Sequence, residues 1–451
     1  MSNTSKASDM DKSDMQGDIW PGLMKDYEEF ILFEIKNAST FKDRLKKAVS
    51  DKKITTAEDA LRQRLRLSGA HKHEEMSGVN VAFTSKGMIK LDRDELRDDP
   101  FIKGMVTDMV GEGRDTTEEW ESHWKKDIDG VLVICGTEQK VIKTRHDMLH
   151  RLGDSIAEIK PANGKPIAGK VLPGDMRGHE HFGYLDAVSQ PLLKGLDDDK
   201  TKQEGVQKKL APPGIILINN PGFYDDDTAW WEPEWAKNGS YFVLRKMVQH
   251  VPEFHRYCAN EAHKGGYTQD EFEARLVGRW RNGAPVEKYP FDSSKWDGNL
   301  NDWDYESAND QSRCPFAAHI RKTNPRIGVG NDTTNLMLRR GIPFGPVWEE
   351  GQNDNAERGL LFTSYQSALK NGFQFVMNRW VYDHGFPHDR NGQDAIIGQN
   401  IKGAAEEEDK LLRMKLKKKD GSDWDISFTS FISVGGGEYF FMPPLRFIRG
   451  L

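Results

Sequence analysis

The pattern of apolar and polar residues divides the first third of the chain into short β-type runs separated by amphipathic segments. Runs rich in β-branched and aromatic residues predict buried strands over four segments, residues 30–35, 80–84, 130–135 and 155–160. Apolar residues at helical spacing predict helices over residues 41–49 and about 140–152. Thr55 and Glu58 fit a capping box that begins a further helix.

A similar order returns after a connector rich in Gly and Pro, residues 161–177. In the later part of the chain, the pattern predicts strands over 214–218 and 240–245 and a helix over 253–262. A second helix is predicted from the capping box Thr268–Glu271 to near Trp280. The strands 428–434 and 439–442 are predicted to form a closing hairpin. Repeated strand, helix, strand units predict an α+β fold with two tandem ferredoxin-like halves, antiparallel sheets, peripheral helices and a cofactor between the halves. The predicted division is a disordered leader over 1–14, an N-terminal half over 15–165 and a C-terminal half over 166–451.

Charge and composition exclude several classes of function. The chain of 451 residues has a formal net charge of −7 and no long basic run, which argues against nucleic acid or an anionic membrane as main partner. No apolar run is long enough for a bilayer span, and the polar N-terminus lacks the apolar core of a secretory signal. We therefore expect a cytoplasmic protein, or an extracellular one if this chain is a processed or otherwise exported form. Three widely spaced cysteines predict reduced, packed thiols rather than disulfides or a zinc site.

The most informative stretch for chemistry is Cys-Pro-Phe-Ala-Ala-His-Ile-Arg-Lys-Thr-Asn-Pro-Arg, residues 314–326, with His319 at its centre. A histidine between small residues, followed by basic side chains, suits a metal ligand beside an anionic cofactor, for which haem is the obvious candidate. Taken alone, His319 is equally open to a packed or solvated role.

Two further stretches carry candidate polar groups. Gly-Tyr-Leu-Asp-Ala-Val-Ser-Gln-Pro, residues 183–191, describes a tight loop that can present Asp186 into a cavity, although a turn aspartate that only caps a helix fits the same residues. Leu-Arg-Arg-Gly-Ile-Pro-Phe-Gly, residues 338–345, contains Arg339 and Arg340. Adjacent residues of a strand point to opposite sides, so only one of these arginines can face a shared pocket.

The three stretches together resemble the dye-decolorizing peroxidases, and supporting matches run over nearly the whole chain, at residues 15–23, 80–84, 357–366, 394–399 and 436–443. The length most resembles the longer fungal-type branch. This resemblance implies a dimeric α+β barrel-like arrangement that holds one haem b per chain. It also implies hydrogen peroxide as oxidant, and dyes, phenols and similar aromatic reductants as substrates, oxidised through a ferryl and porphyrin-radical state.

Site roles follow from the resemblance, position by position. His319 is the expected proximal iron ligand, with Asp394 accepting a hydrogen bond from its other ring nitrogen. Asp186 is expected to move a proton between the peroxide oxygens, and Arg339 to hold Asp186 and offset negative charge. Arg340 is the alternative for the role of Arg339. An aspartate base also predicts acidic working conditions.

The remaining family positions are less specific. Leu360 and Phe362 are expected to crowd the distal pocket, or else are plain core. Arg321 and Arg326 are candidates for the haem propionates, with surface charge as the alternative. Trp380 is the candidate surface electron relay. Asp225–Asp227 could attract manganese but also reads as a solvated acidic turn.

One position departs from the family pattern. The family loop reads Gly-x-x-Asp-Gly, whereas Ala187 follows Asp186 here, which adds one methyl group beside the expected catalytic carboxylate.

Two other functions compete with a haem peroxidase. A haem-binding or haem-carrying protein could use the same pocket without turnover, but it has no need of Asp186 and Arg339. A hydrolase using Ser189 lacks an activating arrangement such as Gly-x-Ser-x-Gly.

Overall fold

A computed structural model describes residues 10–67, 75–111, 115, 117–202, 210–222, 232–298, 301–327, 333–352, 354–388, 391–400 and 411–451. Residues 1–9 of the predicted leader and the acidic turn Asp225–Asp227 lie outside these ranges. Asp14, at the end of the predicted leader, is buried and accepts a hydrogen bond of 2.6 Å from the backbone N–H of Arg446.

Strands and helices alternate in the first half and are more scattered in the second. The strands are β1 (Tyr27–Ile35), β2 (Ser77–Phe83), β3 (Gly130–Gly136), β4 (Ile156–Ile159), β5 (Ile167–Lys170), β6 (Leu192–Leu193), β7 (Leu210–Ala211), β8 (Ser240–Gln249), β9 (Leu338–Arg339), β10 (Ile342–Phe344), β11 (Gly359–Gln366), β12 (Leu412–Lys417), β13 (Asp423–Phe428) and β14 (Ile432–Met442). The α-helices are α1 (Ala38–Ser50), α2 (Ala57–Leu67), α3 (Ser85–Lys90), α4 (Asp99–Lys103), α5 (Met105–Gly111), α6 (Glu138–Leu152), α7 (Val251–Glu261), α8 (Gln269–Val277), α9 (His319–Thr323), α10 (Phe373–Phe375) and α11 (Leu445–Arg449). A π-helix spans Val376–Val381, and 3₁₀ turns span Thr117–Glu119, Ser122–Lys125, Gly153–Ser155, Gly174–Met176, Asp198–Lys202, Pro213–Ile215, Glu234–Ala236 and Ala262–Gly265.

The two halves share one sheet. Its ten strands run in the order β10-β11-β8-β14-β2-β3-β1-β4, with β5 also paired to β1 and β9 to β11. Every ladder of this sheet is antiparallel, and the halves meet where Phe441 of β14 pairs with Phe83 of β2. The predicted α+β class with antiparallel sheets is confirmed. In the described ranges two small sheets accompany the large one, an antiparallel pair of β12 and β13 and a parallel pair of β6 and β7. The predicted boundary at residue 165 falls before β5, which pairs with β1.

Sequence patterns located the first half well. The predicted strands at 30–35, 80–84, 130–135 and 155–160 and the helices at 41–49 and 140–152 are all present. The helix α1 begins where the Asn37 side chain accepts a hydrogen bond of 2.9 Å from the backbone N–H of Thr40. The capping interaction of α2 lies one residue later than predicted, since Thr56 and Asp59, not Thr55 and Glu58, exchange the reciprocal bonds.

The second half contains two corrections. Residues 214–218 are buried but form a 3₁₀ turn over Pro213–Ile215 followed by irregular chain, not a strand. Residues 428–434 and 439–442 are not a hairpin, because Ile432–Met442 is one strand with a bulge between Val434 and Gly436. The predicted capping box of α8 is confirmed, with Thr268 and Glu271 exchanging both bonds.

The core consists of a large cluster that spans both halves of the sheet and a second cluster beneath α7, α8, β12 and β13. Cys135, Cys258 and Cys314 are buried and unpaired with each other, as predicted. Within the described ranges, no helix combines the length and apolar character needed to cross a membrane.

His123 is a buried histidine outside the predicted site. It is 1% exposed, neither ring nitrogen has a hydrogen-bond partner, and its ring lies 5.1 Å from that of Trp124. Burial, helped by the positive charges of Lys246 and Lys126, lowers the pKa of His123 to about 4. The folded protein thus binds this proton more weakly than the unfolded chain, whose histidine titrates near about 6.5.

We predict that His123→Phe reduces the acid sensitivity of the fold. The contribution of neutral His123 to the free energy of unfolding is fully present above about pH 6.5 and is lost as the pH falls towards 4. This loss is on the order of 2 kcal/mol over that pH range. Denaturant unfolding measured at pH 7 and pH 4.5 should show a smaller difference for His123→Phe than for wild type. Replacement of the exposed His150 by Phe is the control, and an equal pH difference in wild type and His123→Phe would contradict the prediction.

Candidate active site

His319 lies at the start of α9, directly after the buried small residues Ala317 and Ala318. Its Nδ1 atom lies 2.9 Å from Oδ2 of Asp394, which is fully buried. The other carboxylate oxygen of Asp394 accepts the backbone N–H groups of Ile396 and Ile397 at 2.8 and 2.9 Å. Because an ionised carboxylate only accepts, Nδ1 carries a proton, and in the neutral imidazole Nε2 keeps its lone pair.

The Nε2 side of His319 faces a cavity. The His319 side chain is 31% exposed and is one of the residues that line the cavity, and no described residue forms a hydrogen bond with Nε2. Enclosure lowers the pKa of His319, but the Asp394 carboxylate and its hydrogen bond outweigh this effect, so the pKa is raised overall. Backbone bonds from Ala395 to Ala317 (3.0 Å) and from Asp394 to Val381 (2.9 Å) fix the histidine and aspartate segments to each other.

Asp186 lies on the loop of residues 183–191 and lines the same cavity as His319. Its backbone N–H donates to the carbonyl of Gly178 at 2.9 Å, and its Oδ1 accepts the N–H of Ala187 at 2.6 Å. Oδ2 has no hydrogen-bond partner among the described residues. One carboxylate oxygen therefore fixes the side chain, while the other is available to a ligand.

Glu180 holds this loop from inside, a role that sequence reasoning missed. Its carboxylate accepts the backbone N–H groups of Phe182 and Tyr184, each at 2.9 Å, and Gln249 Nε2 at 2.5 Å. Enclosure raises the pKa of Glu180, and the nearby Asp186 charge adds to the rise. Glu180 stands between His179 and His181, and no sequence pattern marks it as a residue of the site.

Arg339 faces the cavity, and Arg340 does not. Arg339 Nη2 donates to the carbonyl of Ser189 at 3.1 Å, and its backbone exchanges two bonds of 3.0 Å with the amide of Gln190. Arg340 points the other way and donates to the carbonyls of Pro21 (3.0 Å) and Asp18 (3.3 Å). This opposite orientation follows from the alternation of side chains along β9.

Arg339 does not hold Asp186 directly, contrary to our expectation. No ion pair within 4 Å joins the two side chains in the described ranges. They are connected instead through the loop, by the bonds of Arg339 to Ser189 and Gln190, and through charge. Enclosure lowers the pKa of Arg339, and Asp186 partly offsets this.

The two arginines expected near the cofactor lie in different places. Arg321 is 2% exposed, does not line the cavity, and donates to the carbonyls of Asp310 (2.8 Å), Cys314 (2.5 Å) and Ser307 (2.9 Å) between the rings of Tyr305 and Phe316. It is a buried structural cation, so its assignment to a propionate is wrong. Arg326 lines the cavity and packs 4.0 Å from the Trp303 ring.

Arg279 also lines the cavity, although no sequence motif predicted it as a site residue. Burial and the neighbouring charges of Arg326 and Arg339 lower its pKa to about 10. Three guanidinium groups that repel one another in a mostly apolar cavity favour an anionic ligand, because carboxylates would relieve both the repulsion and the desolvation.

The cavity has a volume of about 220 Å³ and opens to solvent. Alternating residues of β8, β11 and β14 form one wall of the cavity. Leu360 and Phe362, which the resemblance placed at the pocket, lie on this wall. The apolar lining includes Met247, Leu336, Met337, Leu360, Phe362, Val376, Met377, Ile396, Ile397 and Val434. A mostly apolar cavity with one imidazole nitrogen and several arginines suits the chemistry of haem, which has an iron, an apolar ring and two carboxylates.

Trp380 lies on the π-helix but outside the cavity lining. Its indole is 8% exposed, because it stacks on Phe386 at 5.2 Å and packs against Phe375 at 5.4 Å. Only an edge of this ring reaches the surface.

Ala187 adopts a backbone conformation that favours glycine. Its φ of +56° lies in the left-handed region, where a side chain costs roughly 1 kcal/mol. Ala187 is exposed.

Two family models match the chain. The DyP dimeric alpha+beta barrel domain matches residues 14–166, and the C-terminal domain of Dyp-type peroxidases matches residues 219–390.

Relatives that match nearly the whole chain are named dye-decolorizing peroxidases. The dye-decolorizing peroxidase msp1 of Mycetinis scorodonius is 33% identical over 99% of this chain and 88% of its own, and the dye-decolorizing peroxidase of Exidia glandulosa is 32% identical over 98% and 87%. The structure of an ancestral D-type dye-decolorizing peroxidase matches with a TM-score of 0.85 at 34% identity, covering 98% of this chain and 99% of that one. A dye-decolorizing peroxidase in complex with 2,6-dimethoxyphenol matches with a TM-score of 0.81 at 30% identity, covering 97% and 98%.

We predict that Ala187→Gly raises the free energy of unfolding by up to about 1 kcal/mol, because it removes the left-handed strain but adds freedom to the unfolded chain. Ala157→Gly, in the extended strand β4, is the matched control and should lower it by about 0.5–1 kcal/mol. Denaturant unfolding of both variants gives the comparison. A loss of stability in Ala187→Gly equal to that in the control would show that the positive φ carries no strain.

Proposed function

The chain belongs to the dye-decolorizing peroxidase family, and from that premise we propose that its chemistry takes place in the cavity bounded by His319, Asp186 and Arg339. It is a peroxidase that oxidises dyes and phenols, and its family depends on haem. When bound, haem supplies the iron that takes electrons from the reductant and passes them to the peroxide.

His319 is the proposed ligand of a single haem b, through Nε2. Asp394 accepts the Nδ1 proton, which orients the ring and increases the electron density on Nε2. A more basic imidazole stabilises the oxidised metal over the reduced metal, which suits a peroxidase. Arg326 and Arg279 are the proposed partners of the propionates, in place of Arg321, since both line the cavity and Arg321 does not.

Asp186 and Arg339 would handle the peroxide. The available Oδ2 of Asp186 would accept a proton from one peroxide oxygen and return it to the other, which leaves as water. The Arg339 guanidinium would offset the negative charge that develops on the separating oxygens, because its Nη1 makes no hydrogen bond with a described residue. Leu360 and Phe362 would exclude bulk water and limit the space beside them.

A bulky dye would not fit beside Asp186 together with peroxide, so the proposed route for large reductants is electron transfer to the surface. Trp380 stays the family-based candidate, although its small exposed edge gives limited access. A haem carrier would need none of the distal polar groups, and no feature of the cavity favours that alternative.

One observation carries the proposal: the imidazole of His319, the carboxylate of Asp186 and the guanidinium of Arg339 line one mostly apolar cavity.

We predict that Asp186→Asn slows the reaction of the haem-loaded protein with one equivalent of hydrogen peroxide by about a hundred- to ten-thousand-fold, because the amide cannot accept the proton. Stopped-flow visible spectra measure this rate, and the resting spectrum should stay unchanged. Asp175→Asn, in an exposed turn nearby, is the control. Equal rates for Asp186→Asn and wild type would remove Asp186 from the mechanism, and failure of the protein to bind haem would remove the whole proposal.

Asp394→Asn should shift the ferric/ferrous reduction potential to more positive values and weaken haem binding about 10- to 100-fold. Asparagine keeps one oxygen for the amides of Ile396 and Ile397 but loses the charge that faces His319. Spectroelectrochemistry and haem titration are the measurements, with the exposed Asp425→Asn as control. A potential that does not move would mean that the carboxylate does not act on the iron through His319.

A further inference from the structure

A row of aromatic rings connects the cavity with a second part of the surface, away from Trp380. Phe182 lines the cavity and is 2% exposed. Its ring lies 4.5 Å from that of Phe254, which lies 5.2 Å from the imidazole of His255. His255 is in turn stacked on Trp348 at 5.4 Å and 14°. The four rings form an unbroken series of contacts.

The outer end of this series is accessible. Trp348 is partly exposed, whereas Trp380 is 8% exposed. Trp348 packs against the cluster of α7 and α8, and its Nε1 donates to the carbonyl of Gln352 at 3.0 Å. The indole therefore has a fixed position with one side open to solvent.

The third ring of the series is held by charge. His255 Nδ1 lies 2.8 Å from Oε1 of Glu273, which is fully buried and also accepts Arg281 Nη2 at 2.6 Å. Glu273 is thus shared between His255 and Arg281, and the imidazole plane cannot rotate away from Trp348 without breaking a buried contact.

We propose that Trp348 is a surface oxidation site for bulky aromatic reductants, served by the rings of Phe182, Phe254 and His255. This inference rests on the proposed peroxidase function, because the oxidising equivalents must come from peroxide reduced in the cavity.

The electron balance is simple. Trp348 gives one electron inward and becomes a radical cation, since the Gln352 carbonyl cannot take the indole proton. A phenol bound at the surface then gives one electron to Trp348 and releases its proton to solvent as it becomes a phenoxyl radical. Two such transfers supply the two electrons and two protons that turn one hydrogen peroxide into two waters.

Neighbouring charges suggest which reductants bind. Glu349 and Glu350 follow Trp348 directly and are both exposed. Their carboxylates favour a positive charge on the indole and attract cationic dyes over anionic dyes of the same size, an effect that salt screens.

The test uses haem-loaded protein and two readouts. One equivalent of peroxide is added with a nitroso spin trap and no reductant, and the adduct is located by peptide mass spectrometry. Turnover is then measured with a bulky cationic dye. Wild type should carry the adduct on Trp348, and Trp348→Phe should lose it and turn over the dye about fivefold more slowly or worse. Trp348→Tyr, which keeps an oxidisable ring, should recover most of the turnover.

Two controls make the result specific. Trp280 follows the cavity residue Arg279, and its partly exposed indole makes no ring contact in the described ranges. Trp280→Phe should therefore leave both the adduct on Trp348 and the dye turnover unchanged. The variant Trp380→Phe, assayed in parallel, measures how much of the dye turnover depends on Trp380. No adduct on Trp348, or unchanged dye turnover in Trp348→Phe, overturns the inference. If peroxide fails to alter the visible spectrum of wild type, the proposed function itself fails, so the two failures are distinguishable.

Discussion

The bond between His319 and Asp394 is the interaction on which the site depends. It settles which imidazole nitrogen carries the proton, and therefore which nitrogen can bind a metal. The carboxylate can do this because two backbone amides hold its second oxygen and the surrounding chain excludes water from it. Without that anchor, His319 would be a short-helix histidine whose ring could turn freely.

The large sheet forms one wall of the cavity and positions the polar groups that line it. Alternation along β8, β11 and β14 sends every second side chain into the cavity, so the wall is apolar apart from Arg245 and Gln249. The strand β9 pairs with β11 through Ser364 and Arg339, and this ladder decides that Arg339 faces the wall while Arg340 faces the N-terminal segment. Gln249 then reaches from β8 to Glu180, which connects the sheet with the loop that carries Asp186. The polar groups of the distal side are thus held by a rigid scaffold.

Sequence reasoning succeeded where local pattern and local structure agree. Strands such as Gly130–Gly136 are continuous β-branched runs, and the box of Thr268 and Glu271 is a bond between near neighbours. It failed where distant contacts decide the outcome. Residues 214–218 are as apolar as a strand, but Pro212 and Pro213 begin a tight turn and the segment is buried without a strand partner. Three glycines at 435–437 suggested a turn, yet β14 continues past them because β8 supplies its hydrogen bonds. Arg321 and Arg326 were indistinguishable by sequence, and the fold separates them because only Arg326 lines the cavity.

The three buried cysteines have a consequence for a protein that handles peroxide. Thiolates, not thiols, react with hydrogen peroxide, and burial raises the pKa of Cys314 to about 12 and those of Cys135 and Cys258 well above the usual range. At neutral or acidic pH almost none of this sulfur is ionised, and none of it is exposed to solvent. The fold therefore protects its own sulfur from sulfenic acid formation, so that self-inactivation during turnover would begin at other side chains.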